Sequence, residues 1–483
     1  MPTLRVGMAP VSHDEDVTPD YVARRNGVTQ MELRGQRAIV LGLGRHGGGV
    51  AAARWLAGEG AIVTVLDRAE AAELADSIAA LADVDIADWR LGRDAERDSD
   101  LTTIDHADLV VVNPAVRPGH PLVSRAVARG VRITSELELF LERCPGHVIG
   151  VTGSNGKSTT AAMIAAMLRA DSRSTFVGGN IGHSLLGDLD TMTSDSWVVL
   201  EISSFQLAWL SRECRLPGIA VLTNFTANHL DWHGTVAHYA AAKQRLFAEL
   251  GTNGVAVADL NTLGPEWNSI LPEKVVAPVA DGQLPALRVP GVHNRSNAAL
   301  AAATALAAGC SPAGVEAALR EYEGLPHRLE LVAMVAGREF YNDSMATTPE
   351  STIAAMRTFS GRCWLLIGGY DKGIDMSELL SAIPRHARGV AFYGASSSRL
   401  HEQWIAMSRS DCPSTRCETL DAGFDWCWRQ SQSGEAILLS PACASYDQFV
   451  DYRARGERFR ELVRTLDSCA ASRSTVQQHT HGR

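Results

Sequence analysis

Residues 147–168 read HVIGVTGSNGKSTTAAMIAAML: an apolar, β-branched run enters a glycine turn and leaves it as an alanine-rich stretch. That composition predicts strand, tight turn and helix, in that order. A strand that feeds a helix finds its sheet neighbours through crossovers rather than hairpins, so the sheet is expected to be mostly parallel. The same order occurs on either side. RAIVLGL (37–43) runs into GLGRHGGG, a helical pattern follows, and AIVTVLD closes on Asp67; DLVVVNPAV (108–116) adds another strand. Beyond residue 330, REFYNDS, CWLLIGGYDKG (363–373), GVAFYGA (389–395) and EAILLSPACAS (435–445) repeat the pattern, with one strand expected across Leu331–Phe340.

A chain of 483 residues exceeds what one core ordinarily holds and fits about three domains. The expected fold is α/β with three consecutive domains: Rossmann-like at 34–138, P-loop ATPase-like with a mostly parallel sheet at 139–325, and Rossmann-like again at 326–468. GLPHRLE (324–330) reads as a linker, and no solenoid repeat is evident. The N-terminal extension (1–33) and the tail (469–483) are polar and expected to lack order.

Composition narrows the function classes. With 46% hydrophobic and 21% charged residues and no apolar run of about 18, no membrane insertion is expected. The acidic N-terminus is no signal peptide, and nine scattered cysteines without a CxxC pair point to reduced thiols and a cytoplasmic setting. A net charge of −10 weighs against nucleic acid as a partner. Of 45 basic residues only Lys157, Lys243, Lys274 and Lys372 are lysine. Arginine has taken the generic surface roles, so the remaining lysines mark places that need a compact charge or a reactive amine.

Several motifs carry chemistry. Gly42, Gly44 and Gly47 fit GxGxxG after a strand, and Asp67 follows 20 residues beyond Gly47, the order of a nucleotide-binding unit; a bare tight turn is the plainer alternative. TGSNGKST (152–159) lacks the first Walker glycine, since Val151 stands there, yet still offers backbone N–H groups, Lys157 and the Ser158 hydroxyl to phosphates and a cation. WVVLEISSFQL (197–207) delivers Glu201, and the stretch after VLTNF brings Asn228, His229 and Asp231 ahead of a helix carrying Lys243. Taken alone, His229 reads as a hydrogen-bonded core histidine.

Together TGSNGKST, GGNIG, LEISSFQL, NHLDWHG, YAAAKQRLF, HNRSNA, GLPHR, GGYDKG and SPACASYDQF resemble the Mur ligases, over about Gly35 to Leu466. Within that family the likeness is to the branch that adds D-glutamate. The resemblance implies an ATP-dependent ligase acting on UDP-N-acetylmuramoyl-L-alanine and glutamate in peptidoglycan precursor synthesis, through an acyl phosphate, as a cytoplasmic monomer. It implies ATP on Gly153, Ser154, Asn155, Gly156, Lys157, Ser158, Thr159, Asn294, Asn297, Arg328 and Asp343. Two Mg²⁺ ions would be held by Ser158, Glu201, His229 and a carbamylated Lys243, and Lys157, His229 and Lys243 would be the catalytic set. The UDP-sugar would rest on Arg45, His46, Asp67 and Asn113, with Asn180 near phosphate, and glutamate among Thr347, Lys372, Ser445 and Phe449. Two alternatives remain open at this level: use of L-glutamate, and an oxidoreductase built on GLGRHG.

YNDSMATT (341–348) departs from the family pattern NDSKAT, with Met345 where a lysine is usual. The lost cation leads to the expectation that Met345→Lys is tolerated or mildly activating for nucleotide binding.

Overall fold

The computed structural model describes residues 32–480, apart from 46, 93–97, 212–213, 249, 251–253, 268–270, 272–274, 360–362 and 408–411. Residues 1–31, His46, Lys274 and the last three residues therefore lie outside the described residues. The chain divides into two compact units: residues up to Pro285 with Ser296–Arg320, and Ala286–Arg295 with Glu321 onward.

The first unit holds two sheets. Strands β1 (Arg37–Leu41), β2 (Ile62–Asp67), β3 (Asp88–Leu91), β4 (Leu109–Val112) and β5 (Arg132–Thr134) pair in parallel, in the order β3-β2-β1-β4-β5. The chain leaves β1 toward β2 and later returns to its other side at β4, and such a reversal opens a crevice at the strands' carboxyl ends. Asp67 and Asn113 both stand at that edge, one ending β2 and the other following β4.

The second sheet contains β6 (His147–Thr152), β7 (Thr175–Gly179), β8 (Trp197–Glu201), β9 (Ile219–Leu222), β10 (Val255–Ala258) and β11 (Val275–Val276), again parallel, ordered β11-β10-β9-β6-β8-β7. Strand β6 thus lies between β8 and β9, which brings Thr152, Glu201 and Leu222 to one edge. Val148, Ile149, Val151, Val198, Val199, Leu200, Ala220, Val221 and Leu222 are all buried, as sheets covered by helices on both faces require. The helix Lys157–Ala170 packs on this sheet, with Met163, Ile164, Met167 and Leu168 buried.

The second unit carries β12 (Glu330–Val335), β13 (Arg338–Asn342), β14 (Cys363–Gly368), β15 (Ala387–Tyr393), β16 (Ser414–Arg416) and β17 (Ala436–Leu439). Their order is β12-β13-β17-β14-β15-β16, parallel except for the β12–β13 pair. The single strand expected across Leu331–Phe340 is therefore a hairpin. Ala336 and Gly337 adopt φ of 49° and 74°, and two successive positive-φ residues turn a chain back on itself.

GLPHRLE is no linker. His327 and Leu329 are buried at positive φ, and the His327 carbonyl accepts from the Met345 N–H at 3.0 Å. The last helix runs from Tyr452 to Thr480 and so extends into the tail at 469–483, of which the last three residues lie outside the described residues. Between Gly456 and Gly482 no glycine or proline interrupts it.

Candidate active site

The turn after β6 is held by the strand beside it. Gly153 has φ 146°, and a Cβ there would lie 1.9 Å from the Thr223 Oγ1, so no other residue fits. The Thr223 hydroxyl donates to the Asn155 carbonyl at 2.5 Å, and Asn224 Nδ2 donates to the same oxygen at 2.9 Å. Asn224 Oδ1 accepts from the Asn155 N–H at 3.0 Å, while Ser154 Oγ donates to the Thr226 carbonyl at 2.8 Å. The loop is thus fixed before any ligand arrives. Gly156, at φ 81°, starts the helix Lys157–Ala170 without a side-chain cap, and the first N–H groups of a helix have no intrahelical partner and suit an anion. Asn297 is buried beside it, with its Oδ1 2.2 Å from where a Gly156 Cβ would be.

Two lysines meet at this turn. Lys157 Nζ donates to the Gly153 and Ser154 carbonyls at 3.2 and 3.0 Å. Lys243 approaches from the helix Val236–Gln244, which Thr235 caps by accepting from the His238 N–H. Its side chain is 1% exposed; Nζ donates to the Gly153 carbonyl at 2.7 Å and lies 4.7 Å from the centre of the Tyr239 ring. Burial, and then the positive charge of Lys157, pull its pKa down to about 6, with Glu201 acting in the opposite sense. At neutral pH this amine is mostly uncharged, and an uncharged amine is nucleophilic.

Glu201 ends β8 and is 2% exposed. Its Oε1 accepts from Asn180 Nδ2 at 2.9 Å, whereas Oε2 has no partner. A buried carboxylate oxygen left unpaired is costly unless a cation or donor reaches it, so the arrangement fits a divalent ion. Ser158 is buried one residue after Lys157. His229 sits at φ 54° and is exposed as a residue, although its ring is half enclosed and packs edge-on to Phe205 at 4.8 Å. Desolvation, and then the charge of Lys157, lower its pKa, which favours the neutral imidazole. No group of three His, Cys, Asp or Glu side chains converges among the described residues. The expected ligand set does not need one, because half of it is hydroxyl and lysine.

In the N-terminal sheet, Asp67 Oδ2 accepts from the Gly44 N–H at 3.0 Å and Oδ1 from the Ala69 N–H at 2.8 Å, tying β2 to the glycine turn. Asn113 Oδ1 accepts from the Ala115 N–H at 3.0 Å, and Arg45 forms an exposed ion pair with Glu73 at 2.8 Å. Asn180 is placed on Glu201 in the central sheet rather than in this group.

In the second unit, Asn294 is buried and donates to the Pro290 carbonyl at 2.7 Å. Asp343 is 5% exposed: Oδ2 accepts from Ser440 Oγ at 2.8 Å and Oδ1 from the Leu329 N–H at 3.1 Å. Burial raises its pKa to about 7, against those two donors and the charge of Arg328. Arg328 Nη2 lies 3.4 Å from the Met345 sulfur. A guanidinium therefore already occupies the ground beside Met345, so the expected gain from a lysine there is revised. Thr347 is half-buried, Ser445 buried, Lys372 exposed, and Phe449 packs partly into the core with Phe424 and Phe459.

Sequence reasoning passed over His233, whose buried ring faces Ser204 Oγ at 3.0 Å and stacks on Phe205. Its position in NHLDWHG was the available signal. Thr223 and Asn224, which clamp the loop, were hidden in a strand end.

Three regions of the chain match domains of known proteins. Residues 36–135 match the MurD-like N-terminal domain of Mur ligases, 151–283 the Mur ligase middle domain, and 327–443 the Mur ligase glutamate ligase domain. The chain is 34% identical over 467 residues to the UDP-N-acetylmuramoylalanine–D-glutamate ligase of Koribacter versatilis, covering 90% of this chain and 99% of that one. It is 33% identical over 470 residues to the protein of the same name from Syntrophus aciditrophicus, at 90% and 99% coverage. In fold it is similar to the UDP-N-acetylmuramate-alanine ligase of Thermotoga maritima (TM-score 0.55, 20% identity, 89% of this chain and 99% of that one). It is likewise similar to MurF of Acinetobacter baumannii (TM-score 0.52, 16% identity, 86% and 92%).

Two outcomes are expected. The folded chain holds the Asp343 proton up to about pH 7, whereas an unfolded aspartate loses it near 4, so this residue's contribution to stability falls as pH rises between those values. Asp343→Asn should therefore gain in melting temperature relative to the parent as pH goes from about 4 to 8; an unchanged difference would contradict the buried, protonated carboxyl. Met345→Lys sets an ammonium against Arg328, where like charges ~4 Å apart cost about 4 kcal/mol at an effective dielectric near 20. It should raise KM for ATP, while Met345→Leu leaves it unchanged.

Proposed function

The chain belongs to the Mur ligase family, and on that premise we propose that it joins D-glutamate to the L-alanine carboxylate of UDP-N-acetylmuramoyl-L-alanine at the expense of ATP. The observation that carries this reading is the buried, mostly neutral Lys243 amine hydrogen-bonded to the phosphate-loop carbonyl of Gly153.

The chemistry has two steps. The alanine carboxylate attacks the γ-phosphorus of ATP, giving an acyl phosphate and ADP. The glutamate amine then attacks the acyl carbon, the amide forms, inorganic phosphate leaves, and the amine gives up its proton. Two like charges ~4 Å apart cost about 4 kcal/mol at an effective dielectric near 20, so the first step needs fixed positive charge. Lys157 and the N–H groups from Gly153 to Thr159 supply it, preorganised by the Thr223 and Asn224 clamp. Lys157 moves from loop carbonyls to phosphate oxygens without leaving the turn.

Carbamylation of Lys243 follows from its state. A neutral amine adds to CO₂, losing a proton, and the cationic side chain becomes an anionic oxygen donor; a guanidinium does not do this readily. Ser158, Glu201, His229 and the carbamate would then hold two Mg²⁺ ions, and the unpaired Glu201 Oε2 supports that assignment. Bound Mg²⁺ would supply further cancellation of phosphate charge and align the reacting oxygens.

The remaining assignments follow the three domains proposed at 34–138, 139–325 and 326–468. Asn294, Asn297, Arg328 and Asp343 serve ATP, and Asn180 orients Glu201. Arg45, His46, Asp67 and Asn113 serve the UDP end, His46 lying outside the described residues. Thr347, Lys372, Ser445 and Phe449 serve glutamate. Among the described residues no helix is long and apolar enough to cross a membrane, and the described cysteines are free. By its family membership the chain is proposed to act on small molecules, as a cytoplasmic monomer.

The direct test is phosphate release from ATP with the muramoyl-alanine substrate and either enantiomer of glutamate. Turnover with D-glutamate is expected; turnover with L-glutamate alone would overturn the stereochemical assignment. For Lys243, ¹³C-bicarbonate should give a carbamate carbonyl NMR signal that Lys243→Arg abolishes, with kcat lowered by roughly 10²–10³-fold. Full activity of Lys243→Arg would contradict the carbamate.

A further inference from the structure

Arg455 is the one arginine that is wholly buried among the described residues, at 0% exposure. It enters from the first turns of the helix Tyr452–Thr480. Its guanidinium donates to Ser344 Oγ at 2.9 Å, to the Ser344 carbonyl at 2.8 Å and to the Cys443 carbonyl at 3.0 Å. All three acceptors are neutral. Two acids in the same region are engaged elsewhere: Asp371 by Arg399 through two bonds of 2.6 Å, and Asp447 by the Ala395 N–H at 2.9 Å. Among the described residues Arg455 forms no ion pair. A buried cation without a counter-charge is costly, and the fold keeps it.

Three loops converge on this one group. YNDSMATT reaches it through Ser344 and SPACAS through Cys443. GGYDKG passes so close that a Cβ on Gly369, at φ 137°, would lie 3.1 Å from Arg455 Nη1 and 2.1 Å from the Ala444 carbonyl oxygen. The loops are also bonded to one another: Tyr370 N–H to the Ala444 carbonyl at 2.8 Å, Gly368 N–H to the Pro441 carbonyl at 3.0 Å, and Ala442 N–H to the Ala346 carbonyl at 2.9 Å. Ala442 is held at φ 57°, a conformation that a non-glycine residue keeps only when its surroundings fix it.

From this geometry we infer that Arg455 is a positioning residue for glutamate: it fixes the three loops as one surface, and its uncompensated charge makes that surface attract a dicarboxylate. The inference rests on the proposed function, which places Thr347, Lys372 and Ser445 on these loops. A dicarboxylate requires positive potential at two points. Exposed Lys372 supplies one, and Arg455, acting from beneath through Ser344 and Cys443, supplies the second. Because a guanidinium reaches three acceptors in one plane, lysine replaces its charge but not its geometry.

The experiment compares the full-length parent with Arg455→Lys and Arg455→Met, measuring kcat and KM separately for D-glutamate, ATP and the muramoyl substrate, with thermal melting as a check on folding. Arg455→Met should raise KM for glutamate about tenfold or more while the other two KM values change less than about twofold, as expected for loss of one charge from a binding surface. Arg455→Lys should recover part of that loss. If Arg455→Met does not fold, Arg455→Lys decides alone: a rise confined to the glutamate KM supports the inference. An unchanged glutamate KM, or equal changes in all three, overturns it and leaves the ligase reading intact. A parent enzyme that releases no phosphate with glutamate removes both.

Discussion

Lys243 reaches the back of the phosphate loop with its side chain 1% exposed and finds a neutral carbonyl, that of Gly153, at 2.7 Å. A buried ammonium so placed loses its proton, and the central site follows from that. The loop carbonyl is fixed because Thr223 and Asn224 clamp Asn155, and because Gly153 packs against Thr223 too tightly for a side chain. Lys157, bonded to the same carbonyl at 3.2 Å, adds the repulsion that keeps Lys243 neutral. Strand β8 brings Glu201 to the same edge with one oxygen unpaired. Cationic, nucleophilic and acidic groups thus share one edge of a parallel sheet because β6 lies between β8 and β9.

Much of this was legible in the sequence where a local rule decides the outcome. Glycine turns after β-branched runs pointed to three mostly parallel sheets, and scarcity of lysine singled out Lys157 and Lys243. What escaped depends on distant partners. His233 is unremarkable until Phe205 and Ser204 close on it. Thr223 looks like a strand end until its hydroxyl meets Asn155, far away in sequence. The hairpin at Ala336–Gly337 was lost inside a longer apolar run. That Ala286–Arg295 belongs with the second unit was not legible at all, because nothing local marks the chain as changing units there.

Arginine's abundance had the opposite effect to lysine's scarcity. A chain that uses arginine for its generic surface hides the one arginine that is wholly buried among the described residues, and Arg455 carried no signal of its own. Met345 is the converse: a missing charge was plain in the sequence, but the guanidinium beside it, Arg328, became visible only in three dimensions. In both cases the residue type could be read and the electrostatic consequence could not, since the latter depends on what lies within a few ångströms.

The proposed activation has the alanine carboxylate attack the γ-phosphorus of ATP directly. It is tested most directly by labelling both alanine carboxylate oxygens of the muramoyl substrate with ¹⁸O and analysing the products of a single ligation. One ¹⁸O is expected in the released phosphate and one in the new amide carbonyl. Phosphate released without label would contradict it.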